Sequence, residues 1–210
     1  MILGVTGFIG SGKDTIADYL CTFHGFKRLS FAASLKDALS AIFGWDREML
    51  EGSTKSSREW REQVDTWWAE RLNMPRLAPR WAMQYWGTEV CRQGFHADIW
   101  VASVENKLRQ AKDNIVITDC RFANEVLAIK KSGGITCRVE RGPRPIWYDD
   151  ASNLNKGPAQ IGWALAKAKL DEHKVHASEF SSVGLEYDYY VDNNGTIDHL
   201  HKQVDSIINL

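Results

Sequence analysis

Nine residues near the start of the chain, Gly7-Phe8-Ile9-Gly10-Ser11-Gly12-Lys13-Asp14-Thr15, combine glycines, an amine and hydroxyls at a spacing suited to holding phosphate. A short apolar run, Ile2 to Thr6, precedes them and a helical pattern follows. The usual phosphate-cradling pattern has Ser or Thr directly after the lysine. Here Asp14 intervenes and Thr15 follows. The physical demand is still met. Gly10 and Gly12 beside Ser11 let backbone wrap close to phosphate oxygens, where a Cβ would block approach. The first N–H groups of the following helix lack intrahelical partners and point at an anion. Lys13 adds a mobile charge for the β- and γ-phosphates. Thr15 can offer its hydroxyl to Mg²⁺. Asp14 has two readings: a carboxylate placed against the helix dipole, or a ligand to a Mg²⁺-bound water or polar contact on the acceptor side.

A second constellation follows the apolar run Ile115 to Thr118: Asp119, Arg121 and Glu125. In open parallel sheets ligands sit beyond the carboxyl ends of strands, and an acid there suits a metal-bound phosphate. The plain alternative is a helix cap at Asp119 with a solvent-facing Arg121–Glu125 pair. Further candidates are scattered. Lys36 lies one turn into a helix after the second strand and could reach a phosphate. Arg80, Gln84, Gly87 and Thr88 fall at helical steps after Pro79. Arg80 offers a phosphate fork, Gln84 a donor and an acceptor for a base edge, and Gly87 close approach. Arg141 and Arg144 open an excursion after the fourth strand and would suit a lid that excludes water, or an ordinary loop.

The elements that must position these residues alternate. Strands are predicted at Ile2–Thr6, Lys27–Phe31, Ile115–Thr118, Ile135–Glu140 and Tyr187–Val191. Helices are predicted over Thr15–Phe23, Ala32–Phe43, Ser53–Asn73, from Pro79, His96–Lys112, Val126–Ser132, Ala159–Lys174 and Thr196–Ile208. Tyr148 to Pro158 reads as a polar segment, and Asn193-Asn194-Gly195 as a turn. Such alternation argues for an α/β fold, a parallel sheet with helices on both faces. Six of the nine tryptophans lie between Trp45 and Trp86. They read either as the inward face of an amphipathic helix or as an Arg/Trp surface for stacking bases.

The chain has 210 residues, enough for one α/β domain with a small excursion. Its net charge of −1 gives no basic footprint for nucleic acid. No run is long and apolar enough for a membrane span, and glycines interrupt any secretory signal at the start. The four cysteines lack C-x-x-C spacing and read as reduced thiols of a cytosolic protein.

In order along the chain stand G-x-x-G-S-G-K-D-T, F-A-x-x-L-K at Phe31–Lys36, P-R-x-x-x-Q-x-x-G-T-E at Pro79–Glu89 and D-x-R-F-x-N-E at Asp119–Glu125. H-x-S-E at His176–Glu179 and an N-N-x-G-T-like turn at Asn193–Thr196 complete the set. Together they resemble the bacteriophage deoxynucleoside monophosphate kinases, within the nucleoside monophosphate kinase group of P-loop proteins. The resemblance is weakest at 44–74 and 144–174. It implies a P-loop NTPase fold with a five-stranded parallel sheet in the order 2-3-1-4-5. It also implies an acceptor-binding helical insertion at about 44–112 and a small lid-like excursion at about 141–176.

The activity so implied is Mg²⁺-dependent transfer of the ATP γ-phosphoryl to a deoxynucleoside monophosphate, for viral deoxynucleotide supply in the host cytoplasm. On that resemblance Ser11, Lys13, Asp14 and Thr15 serve the donor and its metal. Arg80, Gln84, Gly87, Thr88 and Trp100 line the acceptor side, Arg80 on the 5′-phosphate and Trp100 against the base. Asp119, Arg121 and Glu125 fix acceptor and metal geometry. Two rivals remain at this level: a P-loop kinase acting on a modified base in DNA, and a non-catalytic nucleotide-binding module. Exposed tryptophans could also form a homodimer face.

Overall fold

Ile2–Thr6 is apolar enough to be buried on both faces, and it takes the central place in the sheet. The computed structural model describes residues 1–209. In it β1 (Ile2–Thr6) lies between β3 (Ile115–Ile117) and β4 (Ile135–Glu140), parallel to both. β2 (Lys27–Leu29) flanks β3, and β5 (Tyr189–Asp192) flanks β4. The order β2-β3-β1-β4-β5 is the one the resemblance implies. Leu3 stands opposite Val116 on one side and Ile135 on the other.

Successive residues of a strand face opposite ways. Leu3, Val5, Cys137, Val139 and Val191 share one core cluster with Ile16 and Leu20 of α1 (Lys13–Phe23) and Leu200 and Val204 of α12 (Ile197–Ile208). Burying each such leucine contributes roughly 1.5–3 kcal/mol. α8 (Ala123–Lys131) packs against β1 and β4. A Cβ on Gly4 would meet Ile129 Cδ1 at 2.5 Å, so that contact requires glycine.

The chain divides into two units: Met1–Ser30 together with the chain from Leu108 onward, and Phe31–Lys107. The first holds the sheet. It also holds α9 (Tyr148–Asn155), α10 (Trp163–Glu172) and α11 (Ala177–Phe180), all between β4 and β5. The helix α9 replaces the polar segment expected at 148–158. Trp147, Tyr148, Ala151 and Leu154 recur at helical spacing and join a small core with Leu170, Phe180 and Val183. The intervening Asp and Asn residues masked that stripe.

The second unit is helical: α2 (Ala33–Phe43), α3 (Arg47–Glu51), α4 (Lys55–Glu62), α5 (Thr66–Leu72), α6 (Pro79–Tyr85), a π-helix at Trp86–Gln93 and α7 (Ile99–Leu108). The single helix expected over 53–73 is two. Asp65 breaks it: one carboxylate oxygen caps α5 at Trp68 N (3.1 Å), and the other accepts Trp45 Nε1–H at 2.8 Å. Trp45 stacks on Phe43 at 4.2 Å, and Trp68 Nε1 donates to the Phe43 carbonyl at 3.0 Å. Most tryptophans here therefore pack within the unit, while Trp67 is 62% exposed. All four cysteines are free, and burial pushes the Cys137 thiol up to about 12. No helix among the described residues is long and apolar enough to cross a membrane.

Candidate active site

The loop from Gly7 to Gly12 is shaped by backbone demands. Gly12 has φ +103°, and a Cβ there would run into the Asn193 side chain. At Gly7 a Cβ would lie 2.6 Å from the Val139 carbonyl. Gly10 has nothing within 4 Å of its would-be Cβ, so that side of the loop is open. Gly12 is the N-cap of α1, and no side chain caps the helix. Its first-turn N–H groups are thereby left for an anion.

Lys13 Nζ donates to the carbonyl of Phe8 at 2.7 Å. Burial lowers its pKa from 10.5 to about 8; Asp14 and Glu179 oppose the shift, while Arg121 and Arg138 add to it. The ammonium is thus partly desolvated and, among the described residues, lacks a carboxylate at hydrogen-bond distance, a state that an incoming phosphate relieves. Ser11 is buried, and its Oγ has no hydrogen-bond partner among the described residues. Asp14 is exposed, its carboxylate 3.4 Å from Arg28 Nη1, and Thr15 is exposed on the first turn.

At the end of β3, Asp119 Oδ2 accepts the Ser30 hydroxyl at 2.7 Å. Arg121 and Glu125 do not pair through their side chains in the way the plain alternative supposes. The buried Glu125 Oε2 accepts the backbone N–H of Arg121 (2.6 Å) and of Phe122 (3.1 Å), capping the first turn of α8. The Arg121 guanidinium is free to turn elsewhere, and it meets Glu179 Oε1 at 3.1 Å. Glu179 sits on α11, whose N-terminus is capped by His176 Nδ1. The H-x-S-E stretch thus reaches Arg121, in the loop between β3 and α8.

At the end of β4, Arg141 and Arg144 are exposed. Arg144 lies 4.4 Å from the Tyr148 ring centroid and 3.4 Å from the Glu140 carboxylate. Both arginines line a cavity of about 340 Å³ with Phe8, Glu140, Asp192, Asn194 and Gln203. Asn193, beside it in sequence, donates from Nδ2 to the Ser11 carbonyl at 2.8 Å. In sequence this stretch reads only as a turn. Nothing there singles out Arg138 or Phe8, although the alternation Thr136, Arg138, Glu140 marks one face of β4 as polar.

In the helical unit the candidates have partners of their own. Lys36, buried on α2, pairs with Glu51 Oε1 at 2.6 Å. Arg80 Nε lies 3.3 Å from Glu62. Trp100 is buried, and its Nε1 donates to the Gly87 carbonyl at 2.9 Å. A Cβ on Gly87 would meet Leu35 at 2.9 Å. Arg80 and Gln84 lie on α6, but Gly87 and Thr88 lie in the π-helix. There the N–H groups of Gly94 and His96 bond five residues back, to Glu89 and Cys91. The α-helical face expected to carry all four residues therefore ends at Tyr85. Such π-segments recur at functional sites.

For Mg²⁺ the first unit offers oxygen donors, the Thr15 hydroxyl and the Asp119 carboxylate. Among the described residues no group of three or more His, Cys, Asp or Glu could hold a metal alone.

No known family model matches the chain. A protein of Acanthamoeba polyphaga mimivirus, named provisionally as a deoxynucleotide monophosphate kinase, is 29% identical over 99% of this chain and 96% of its own length. The deoxynucleoside-5′-monophosphate kinase of Escherichia phage T5 is 28% identical over 60% of this chain and 70% of its own. Among solved structures, shikimate kinase from Aquifex aeolicus superposes with a TM-score of 0.48 at 16% identity, covering 100% of this chain and 96% of that one. Dephospho-CoA kinase from Campylobacter jejuni gives 0.39 at 15% identity, covering 99% and 95%. The chain is, over nearly its whole length, a relative of a viral protein that bears the name deoxynucleotide monophosphate kinase.

Proposed function

We propose that this chain is a deoxynucleoside monophosphate kinase, which transfers the γ-phosphoryl group of ATP to a deoxynucleoside 5′-monophosphate and yields the diphosphate and ADP. The observation that carries the reading is the uncapped start of α1 behind the glycine loop, with Lys13 held on a loop carbonyl. Full-length similarity to a protein of that name supports it.

Phosphoryl transfer needs positioning and charge neutralisation more than covalent help. Gly10, Ser11, Gly12 and the first turn of α1 bind the donor phosphates. Lys13 exchanges the Phe8 carbonyl for a phosphate oxygen and regains full charge. Asp14 orders the polar surroundings of that turn. Thr15 and Asp119 would hold Mg²⁺, which when bound neutralises developing charge on the phosphates. Arg121, oriented by the cap that Glu125 places on its backbone, faces the transferring group. Arg80, Gln84, Gly87, Thr88 and Trp100 bind the acceptor in an insertion spanning about 44–112, together with Lys36 on α2, which precedes it. Arg141 and Arg144 belong to a lid-like excursion, about 141–176, and the cavity they line takes the donor nucleoside. The enzyme acts on free nucleotides rather than nucleic acid, in the host cytoplasm, and exposed Trp67 offers a homodimer face.

The test is ADP release with ATP and Mg²⁺, each deoxynucleoside monophosphate in turn, ribonucleotides, and a DNA duplex. Turnover with free deoxynucleotides is expected. Turnover with DNA alone would reassign the acceptor, and none with any acceptor would leave a nucleotide-binding module.

A further inference from the structure

Thr136, Arg138 and Glu140 share one face of β4, opposite the face that Cys137 and Val139 turn to α1 and α12. Arg138 on that face is 1% exposed, a rare place for a charge. Its polar partners are few. Nη1 donates to the Ser182 carbonyl at 3.2 Å, and Nε lies 3.5 Å from Glu140 Oε1. Nη2 has no hydrogen-bond partner among the described residues. Aromatic rings surround it instead: Phe8 at 5.0 Å, Tyr148 at 5.8 Å and Tyr187 at 5.9 Å from the guanidinium carbon.

These rings come from three places. Phe8 belongs to the phosphate loop, Tyr148 opens α9, and Tyr187 precedes β5. Phe8 also meets Trp147 and Tyr148 edge-on, at 5.6 and 6.1 Å. The carbonyl of the same Phe8 holds Lys13 Nζ. One buried cation thus touches the residue that seats the loop lysine, and the start and end of the segment between β4 and β5.

Stability alone does not account for this arginine. An apolar side chain of similar volume fills such a site without desolvating a charge, often at no loss. What the guanidinium adds is attraction to several ring faces at once.

We infer that Arg138 is a positioning residue that, through Phe8, ties the phosphate loop to both ends of the segment between β4 and β5, so that seating a nucleotide on the loop also tightens that segment. The inference rests on the functional reading above for the nature of the ligand.

Calorimetric ATP titration and amide hydrogen exchange over 148–183, with and without ATP, test it in the full chain. The wild type gains exchange protection in that segment on binding ATP. Arg138→Met keeps or raises Tm, binds ATP about tenfold more weakly, on the scale of lost cation–π contacts, and loses the ATP-linked protection. Arg138→Lys recovers part of both. Phe8→Leu mimics Arg138→Met without unpairing a charge, and the double variant is no worse than either single one. If Arg138→Met fails to fold, Phe8→Leu and Arg138→Lys carry the same expectations.

Wild-type affinity and protection in these variants would overturn the inference, as would additive effects in the double variant. A lower Tm with unchanged affinity and protection would make Arg138 merely structural. A wild type that binds ATP without protecting the segment sinks the inference alone. A wild type that binds no ATP sinks the functional reading together with it.

Discussion

The two units hold their polar groups in different ways. Around the phosphate loop the backbone does the holding: Lys13 on a carbonyl, Asn193 on a carbonyl, and α1 left uncapped. In the tryptophan-rich unit side chains hold each other: Lys36 on Glu51, Arg80 against Glu62 and Trp45 on Asp65. A lysine that rests on a backbone carbonyl can pass to a ligand without breaking an ion pair. On the proposed reading, an acceptor entering the second unit has to displace one of these partners or meet other atoms.

The comparison breaks first at Lys13. Lys13→Met is expected to lower turnover by at least about 100-fold, as loss of a transition-state donor does, yet to raise the Tm of the ligand-free protein by a few degrees. Burial holds this amine at about 8, against 10.5 in the unfolded chain. Between those pH values the unfolded chain keeps a proton that the folded chain has released, so stability from this group rises with pH across the window. The variant lacks that rise in a thermal melt series. For the same reason ATP binding to the wild type takes up a proton and weakens as pH climbs above about 8, which calorimetry in buffers of different ionisation heat detects.

Asn193→Ala comes next. It removes the side chain's bond to the Ser11 carbonyl and is expected to weaken ATP binding by about 3–10-fold, the worth of roughly one hydrogen bond. Gly12→Ala alone should lose more, because its Cβ meets that same asparagine. Combining the two should regain part of the loss. If the double variant is no better, strain at the positive φ of Gly12 governs the loop instead.

The smallest effect sharpens the other side of the comparison. Trp100→Phe keeps a ring but frees the Gly87 carbonyl, and should cost about 1 kcal/mol of stability by chemical denaturation. A larger rise in KM for the acceptor, with KM for ATP unchanged, would show that the π-helix it anchors shapes the acceptor pocket. An unchanged acceptor KM would confine Trp100 to packing.

Much of the first unit is legible in sequence because its rules are local. Glycine spacing, an apolar run before it and a helical stripe after it specify the loop, and alternation specifies the sheet. The ends of the strands drift by a residue or two, as pairing decides them. The second unit is less legible because its choices are non-local. Nothing near Asp65 announces that it must serve Trp45, twenty residues earlier, and so split one expected helix into two. Nothing in Pro79–Glu89 announces that α-helical spacing stops at Tyr85. The spacing of Arg121 and Glu125 suggests a side-chain pair, but Glu125 accepts from backbone N–H groups rather than from the neighbouring guanidinium. Arg138 left only a faint trace, a polar alternation within an apolar strand.

The bond from Asn193 to Ser11 spans 182 positions. A ribosome therefore releases the phosphate loop long before the side chain that braces it exists. Sheet partners arrive in between, since β1 must wait for both β3 and β4 before its two edges are covered. During synthesis the loop emerges early but is finished late, and nucleotide capture matures only as the turn after β5 clears the exit tunnel.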